Sequence, residues 1–182
     1  MVNFSKKILR LWGWNAEGFT PADERYILIV APHTSWRDFV IGKLALEAKG
    51  VPAVFLIKKE FFVFPIRRLL KGLGGLPVDR RHAGGIIEST ASLLERHKDR
   101  RMAVVITPEG TRRRTENWKK GFYVLAHRTQ LPVYAGIVDY RKKTCDILPA
   151  PLDLDKPFDA VMKDLSEIYK GAQGKYPENF NF

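Results

Sequence analysis

The sequence predicts an α/β domain with a mostly parallel sheet flanked by helices, and three observations carry that expectation. Four short apolar runs, residues 26–31, 51–57, 102–107 and 131–138, are rich in Val, Ile, Leu or aromatic residues and bounded by Pro or Gly, as strands buried on both faces are. Longer stretches with apolar residues at helical spacing separate these runs, so strand and helix alternate, as parallel strands joined by crossover helices require. The length of 182 residues suits one well-buried core rather than two.

Taken in order, residues 1–20 come first. Phe4, Ile8, Leu11 and Trp12 fall on one helical face there, with Lys6, Lys7 and Arg10 nearby, which predicts an N-terminal amphipathic helix. Such a helix suits either a membrane interface or packing on the domain. The run 26–31 precedes a helix marked by Phe39, Leu44 and Ala48, and the run 51–57 precedes Leu76-Pro77-Val78-Asp79-Arg80-Arg81, a short extra strand ending in charge. Ile86, Ile87, Leu93 and Leu94 predict the next helix, ahead of 102–107. Phe122, Val124, Leu125 and Ala126 predict another, ahead of 131–138. A last helix over 159–169 places Val161, Leu165, Ile168 and Tyr169 on one face. With no internal repeat and no linker, residues 1–182 read as a single domain.

Composition narrows the function classes. Hydrophobic residues at 45% and charged ones at 28% exclude a disordered tail or a collagen-like fibre. Lys and Arg number 31 against 20 Asp and Glu, a net charge of +11, which predicts an anionic partner: nucleic acid, a phosphorylated metabolite or an acidic membrane. The single cysteine, Cys145, excludes an internal disulfide and a Cys-based zinc site. It reads as a small, partly buried apolar residue and fits a reducing, cytoplasmic compartment. No run approaches the about 20 apolar residues of a membrane span, and no signal-peptide pattern opens the chain. Gly-x-x-x-x-Gly-Lys, Gly-x-Gly-x-x-Gly, Gly-x-Ser-x-Gly and His-Glu-x-x-His are all missing. The four histidines, at 33, 82, 97 and 127, are scattered, so neither a metal nor a cofactor is expected.

In open α/β sheets, ligands sit beyond the carboxyl ends of the strands, and the residues just after the apolar runs are unusually polar here. The first run is followed by Pro32-His33-Thr34-Ser35-Trp36-Arg37-Asp38, the second by Lys58-Lys59-Glu60 and the third by Pro108-Glu109-Gly110-Thr111-Arg112. On a continuous helix His33 and Asp38 would lie about 140° apart. With Ser35 as N-cap, His33 falls in the loop and Asp38 in the first turn, and the two side chains can converge. A carboxylate on one imidazole nitrogen fixes the tautomer and raises the basicity of the other, which can then take a proton from a hydroxyl. The same Ser35-x-x-Asp38 spacing is also that of a capping box, which alone would leave His33 an ordinary loop histidine. Gly110 can bring backbone amides close to a ligand, Arg112 and Arg80 offer planar forks for phosphate, and Lys58 and Lys120 supply point charges. Read singly, Arg112 to Arg114 is equally a solvated basic face.

Taken together, these loops resemble the phospholipid and glycerol acyltransferase family, the group that includes 1-acylglycerol-3-phosphate acyltransferases. Its blocks occur here as His33-x4-Asp38; as Lys58-Lys59-Glu60 through Pro65, Gly74 and Val78-Asp79-Arg80; as Pro108-Glu109-Gly110-Thr111-Arg112 followed by Lys120-Gly121; and as Leu131-Pro132-Val133. The His-x4-Asp block alone is a weak signal, whereas all four in order are specific, and the match covers residues 26–138. The resemblance implies a glycerol-phosphate acyltransferase-like fold and transfer of an acyl group from an acyl-CoA or acyl-carrier-protein thioester to a lysophospholipid or glycerol-phosphate-type hydroxyl. It implies His33 as general base oriented by Asp38, and Arg80, Glu109, Gly110, Arg112, Thr111 and Lys58 as acceptor-binding residues. Two departures, Pro32 before the histidine and Thr107 before Pro108, stand where relatives often carry asparagine and an aromatic. Because only 32 residues precede His33, the expected membrane contact is superficial, at the cytoplasmic face and on anionic lipid. The competing expectation, a basic nucleic-acid-binding module, rests on clusters such as Arg100-Arg101 and Arg141 to Lys143 and leaves the order of the blocks unexplained.

Overall fold

The four apolar runs form the middle of a six-stranded sheet in the computed structural model, which describes residues 2–78 and 83–182. The strands are β1 (Arg25–Ala31), β2 (Ala53–Lys58), β3 (Gly75–Val78), β4 (Met102–Ile106), β5 (Val133–Asp139) and β6 (Thr144–Ile147), in the order β3-β2-β4-β1-β5-β6. All pairs are parallel except β5 with β6. β1 lies between β4 and β5, with Ile27 opposite Val104 on one side and Val133 on the other. Its apolar run has no polar alternation because helices cover both faces.

Six α-helices occur among the described residues: α1 (Val2–Leu11), α2 (Arg37–Ala48), α3 (Ile66–Gly72), α4 (Ala83–Arg96), α5 (Gly121–Thr129) and α6 (Phe158–Tyr169). Alternate side chains of β1 enter different cores. Ile27, Ile29 and Ala31 pack with Phe122 and Leu125 of α5 and Val161, Leu165 and Tyr169 of α6, while Tyr26 and Leu28 pack with Leu46 of α2 and Phe55. Each such aliphatic side chain, fully buried, contributes roughly 1.5–3 kcal/mol. α1 packs chiefly on α2, in a cluster that also takes in Val138 of β5 and Cys145 of β6. Leu9 joins Ile41, Ala45 and Ala48, and the Ser5 hydroxyl donates to Glu47 Oε2 at 2.8 Å. Of the predicted apolar face of this helix, Phe4, Leu11 and Trp12 are exposed.

The connections fix where the chemistry belongs. α2 carries the chain from β1 past β4 to β2 over one face, and α5 carries it from β4 past β1 to β5 over the other. The chain thus leaves β1 and β4 in opposite directions, which makes the space beyond their carboxyl ends the place where such sheets bind ligands.

Three elements refine the sequence reading. β2 begins two residues later than its apolar run, and only Phe55 in it is fully buried, because the neighbouring β3 is a four-residue edge strand and α3 buries no residue. The extra strand is β3, but its charged end, including Arg80, lies outside the described residues. β6 adds an antiparallel edge after a turn at Lys143, whose φ is +52°. Cys145 sits in this strand, and burial pushes its thiol up to about 12, as suits the inert apolar role expected of it.

Candidate active site

The loop after β1 and the first turn of α2 are organised by one carboxylate. Asp38 Oδ2 accepts the Thr34 and Ser35 backbone N–H groups at 2.7 and 2.8 Å, and the Ser35 hydroxyl accepts the Arg37 N–H at 3.2 Å. The expected N-cap is displaced by one residue: Trp36, not Ser35, precedes α2 and makes no side-chain cap bond, and because the Asp38 N–H goes to the Ser35 backbone carbonyl at 3.3 Å the Ser35 hydroxyl does not complete a reciprocal capping box. The same Oδ2 lies 3.3 Å from His33 Nδ1. Asp38 therefore binds the loop backbone and faces the histidine in one geometry. Binding the amides immobilises the carboxylate, and the immobilised carboxylate faces the imidazole. Its side chain is 3% exposed against 22% for His33, so the pair is sealed at the carboxylate and open at the ring. A proton on Nδ1, toward Asp38, leaves Nε2 as the basic nitrogen.

Asp38 Oδ1 has its own partner, the Tyr140 hydroxyl, which donates to it at 2.7 Å. Burial and this bond to Asp38 push the tyrosine hydroxyl well above its ordinary value, so it stays a donor. Tyr140 immediately follows β5, at the same sheet end as His33. The rule that selects residues just beyond a strand's carboxyl end finds it when applied to the fourth apolar run as well as to the first three.

Glu109, three residues beyond β4, is 2% exposed, and its Oε1 accepts the backbone N–H of His33 at 2.7 Å. The bond ties the loops after β1 and β4 together. Burial pushes this carboxyl up to about 7, against the lowering effect of the His33 amide and with a further rise from Asp38. Glu109 is thus an internal brace of the histidine loop. Gly110 follows in the left-handed region, at φ +67°, where a side chain is strained; a Cβ there would also meet Lys119 Cγ at 3.3 Å.

Thr111 Oγ1 accepts the Arg113 N–H at 3.2 Å, and Arg112 is exposed on the same loop, which Lys119 closes by donating its N–H to Pro108 O at 2.7 Å. His33, Asp38 and Glu109 are in direct contact or hydrogen-bonded, with Gly110, Thr111 and Arg112 carried beside them by the chain. Lys58 is exposed at the end of β2, at the same sheet end but two strands from β1. Among the described residues no cluster of His, Cys, Asp or Glu could hold a metal ion.

The C-terminal segment was not foreseen as part of the site. After α6 the chain returns to the histidine loop: Tyr176 donates its N–H to Thr34 Oγ1 at 3.2 Å, and Tyr140 donates its N–H to Gln173 O at 2.8 Å. A Cβ on Gly174 would lie 2.6 Å from Thr34 Oγ1 and 3.2 Å from Pro32 Cβ. Farther on, Phe182 packs on Trp118 of the Glu109 loop, ring centroids 4.4 Å apart. Nothing in the sequence of this segment marks it, because its contribution is backbone and close approach.

The model of the family described as Acyltransferase matches residues 15–139, more than half of the chain, including the loops after β1, β2 and β4 but neither Tyr140 nor the C-terminal segment. A 1-acyl-sn-glycerol-3-phosphate acyltransferase of Cocos nucifera is 29% identical over 146 residues, covering 75% of this chain and 46% of the coconut protein. The chain thus spans about half the length of that curated relative. No solved structure gives a significant match.

Proposed function

The chain belongs to the acyltransferase family, and on that premise we propose that it moves a fatty acyl group from an acyl thioester to a hydroxyl of a lysophospholipid or glycerol-phosphate-type acceptor. The observation that carries the mechanism is the 3.3 Å approach of His33 Nδ1 to a sealed, amide-bound Asp38. His33 Nε2 takes the proton of the acceptor hydroxyl as its oxygen attacks the thioester carbonyl carbon. The tetrahedral intermediate collapses, the C–S bond breaks, and the departing thiolate takes the proton from Nε2. The ester and a free thiol result, with no covalent acyl-enzyme. The Asp38 carboxylate holds the ring and stabilises the imidazolium that forms, while Tyr140 and the Thr34 and Ser35 amides hold Asp38.

Arg112 is assigned to the acceptor phosphate, with Arg80, Thr111, Gly110 and Lys58 as further binding residues, and Glu109 to the acceptor side of the site through its brace on His33. The donor is an acyl-CoA or an acyl-carrier protein. The net charge of +11, together with the exposed Phe4, Leu11 and Trp12 beside Lys7 and Arg10, supports attachment to an anionic membrane. The corresponding location is peripheral, at the cytoplasmic face. No described helix is long and apolar enough to cross a membrane.

The direct test is a thioester-cleavage assay over a panel of lysophospholipid and glycerol-phosphate acceptors, with products read by mass spectrometry. New ester is expected with the wild type and none with folded His33→Ala. Ester formation at the wild-type rate by that variant would exclude the base.

A further inference from the structure

The segment that joins β2 to β3 is exposed along most of its length. Neither its 3₁₀ turn (Lys59–Phe61) nor α3 contains a buried residue, yet it is strongly apolar. Phe64 is 88% exposed, Leu69 62%, Phe61 57% and Val63 56%, with Ile66 close behind. Large apolar side chains scattered singly on a surface need no explanation, but five exposed within nine residues concentrate apolar surface on one short segment, as interaction sites do.

The charges choose the partner. Lys58, Lys59, Arg67, Arg68 and Lys71 interleave with these apolar residues against the single acid Glu60, a net charge of +4 within 14 residues. A second copy of the chain seated here would set one +4 surface against another, whereas an anionic bilayer takes the apolar side chains into its interface and pairs its headgroups with the cations. The segment also begins at Lys58, at the carboxyl end of β2, which is the sheet end that carries His33 and Glu109.

We infer that residues 59–72 form a membrane-docking surface that seats the active-site end of the sheet on anionic lipid. The inference rests on the proposed lipid chemistry only for its choice of occupant. It makes the segment after β2, and not α1 alone, the determinant of membrane affinity.

The test is co-sedimentation of the full chain with vesicles of phosphatidylcholine, with and without one quarter phosphatidylglycerol. The triple variant Phe61→Ser/Phe64→Ser/Leu69→Ser is compared with wild type. These side chains are exposed, so the variant is expected to keep the wild-type circular dichroism and melting temperature. Its affinity for the anionic vesicles is expected to fall about tenfold or more. Arg67→Gln/Arg68→Gln/Lys71→Gln is expected to lose a similar factor on anionic vesicles and little on neutral ones.

A fall of less than threefold in the apolar variant overturns the inference. So does a wild type that does not sediment with anionic vesicles, or an apolar variant that converts a wild-type dimer to a monomer in light scattering. Acyl transfer to a short-chain, monomeric acceptor is measured in parallel. Its absence from wild type counts against the enzymatic reading, while the vesicle data decide the docking surface independently.

Discussion

Tyr140 donates its hydroxyl to Asp38 Oδ1 at 2.7 Å while His33 Nδ1 stands 3.3 Å from Oδ2 of the same carboxylate. One carboxylate therefore has its two oxygens held from opposite sides, by a residue at the end of β5 and by the loop after β1. This clamp fixes the rotation of Asp38 and so the direction in which it holds the imidazole.

Tyr140→Phe removes one donor to a charged acceptor and leaves the ring. It is expected to cost about 1.5–3 kcal/mol of stability and to lower kcat on the order of tenfold, with KM changed less than twofold. Steady-state kinetics beside a thermal melt check this. A changed KM with unchanged kcat would place Tyr140 in acceptor binding instead.

His33→Ala and Asp38→Ala should separate catalysis from folding. Removal of a general base is expected to lower kcat by about 10²–10⁴-fold, and His33, being partly exposed, should leave the melting temperature close to wild type. Asp38 accepts three hydrogen bonds, so its removal strands three donors and is expected to cost about 3 kcal/mol or more in addition to the lost activity. Equal melting temperatures for the two variants would contradict this architecture.

Glu109 gives a pH dependence with a definite sign. Its folded value is raised to about 7 by burial, so between the usual glutamate range and pH 7 the folded state holds a proton that the unfolded state has released. Stability from this group is intact below that range and is lost as the pH rises through about 7. Glu109→Gln keeps an oxygen to accept the His33 N–H and removes the ionisation. It is expected to gain up to about 3 kcal/mol over wild type above pH 7 and nothing at pH 4. Urea melts at the two pH values measure the difference, and a gain of equal size at both would refute the assignment.

Gly174→Ala tests whether the C-terminal segment sets the histidine loop. The added Cβ would fall 2.6–2.7 Å from the Thr34 side chain, which is expected to cost about 1–3 kcal/mol and to reduce kcat. Thr34→Ala removes the two nearest atoms and leaves Pro32 Cβ at 3.2 Å, so the double variant should recover most of the way to the level of Thr34→Ala alone. Additive losses in that cycle would show that the two residues act separately.

Much of this site was legible in the sequence because its groups lie just beyond strand ends, where polar residues interrupt apolar runs abruptly. His33, Asp38 and the Glu109-Gly110-Thr111-Arg112 loop were found that way. The Ser35-x-x-Asp38 spacing leaves two alternatives open, and only the coordinates show that Trp36 is the N-cap and that the Asp38 carboxylate binds two loop amides while it faces the histidine. The family resemblance implies that Glu109 belongs to the acceptor-binding residues. Its burial and its bond to the His33 backbone arise from the crossing of two loops 76 residues apart, which local pattern does not encode.

The sequence by itself determined the α/β alternation, the burial of β1, β4 and β5, and the loops that bear chemistry, because these depend on apolar periodicity and on residue types at strand ends. The tertiary structure decided what depends on distance between remote segments: Tyr140 on Asp38, Gly174 against Thr34, and the outward placement of Phe64 and Leu69. An apolar residue reads the same in a sequence whether it is buried or exposed. Only the neighbours supplied by the fold, or in residues 59–72 their absence from the protein interior, determine which it is.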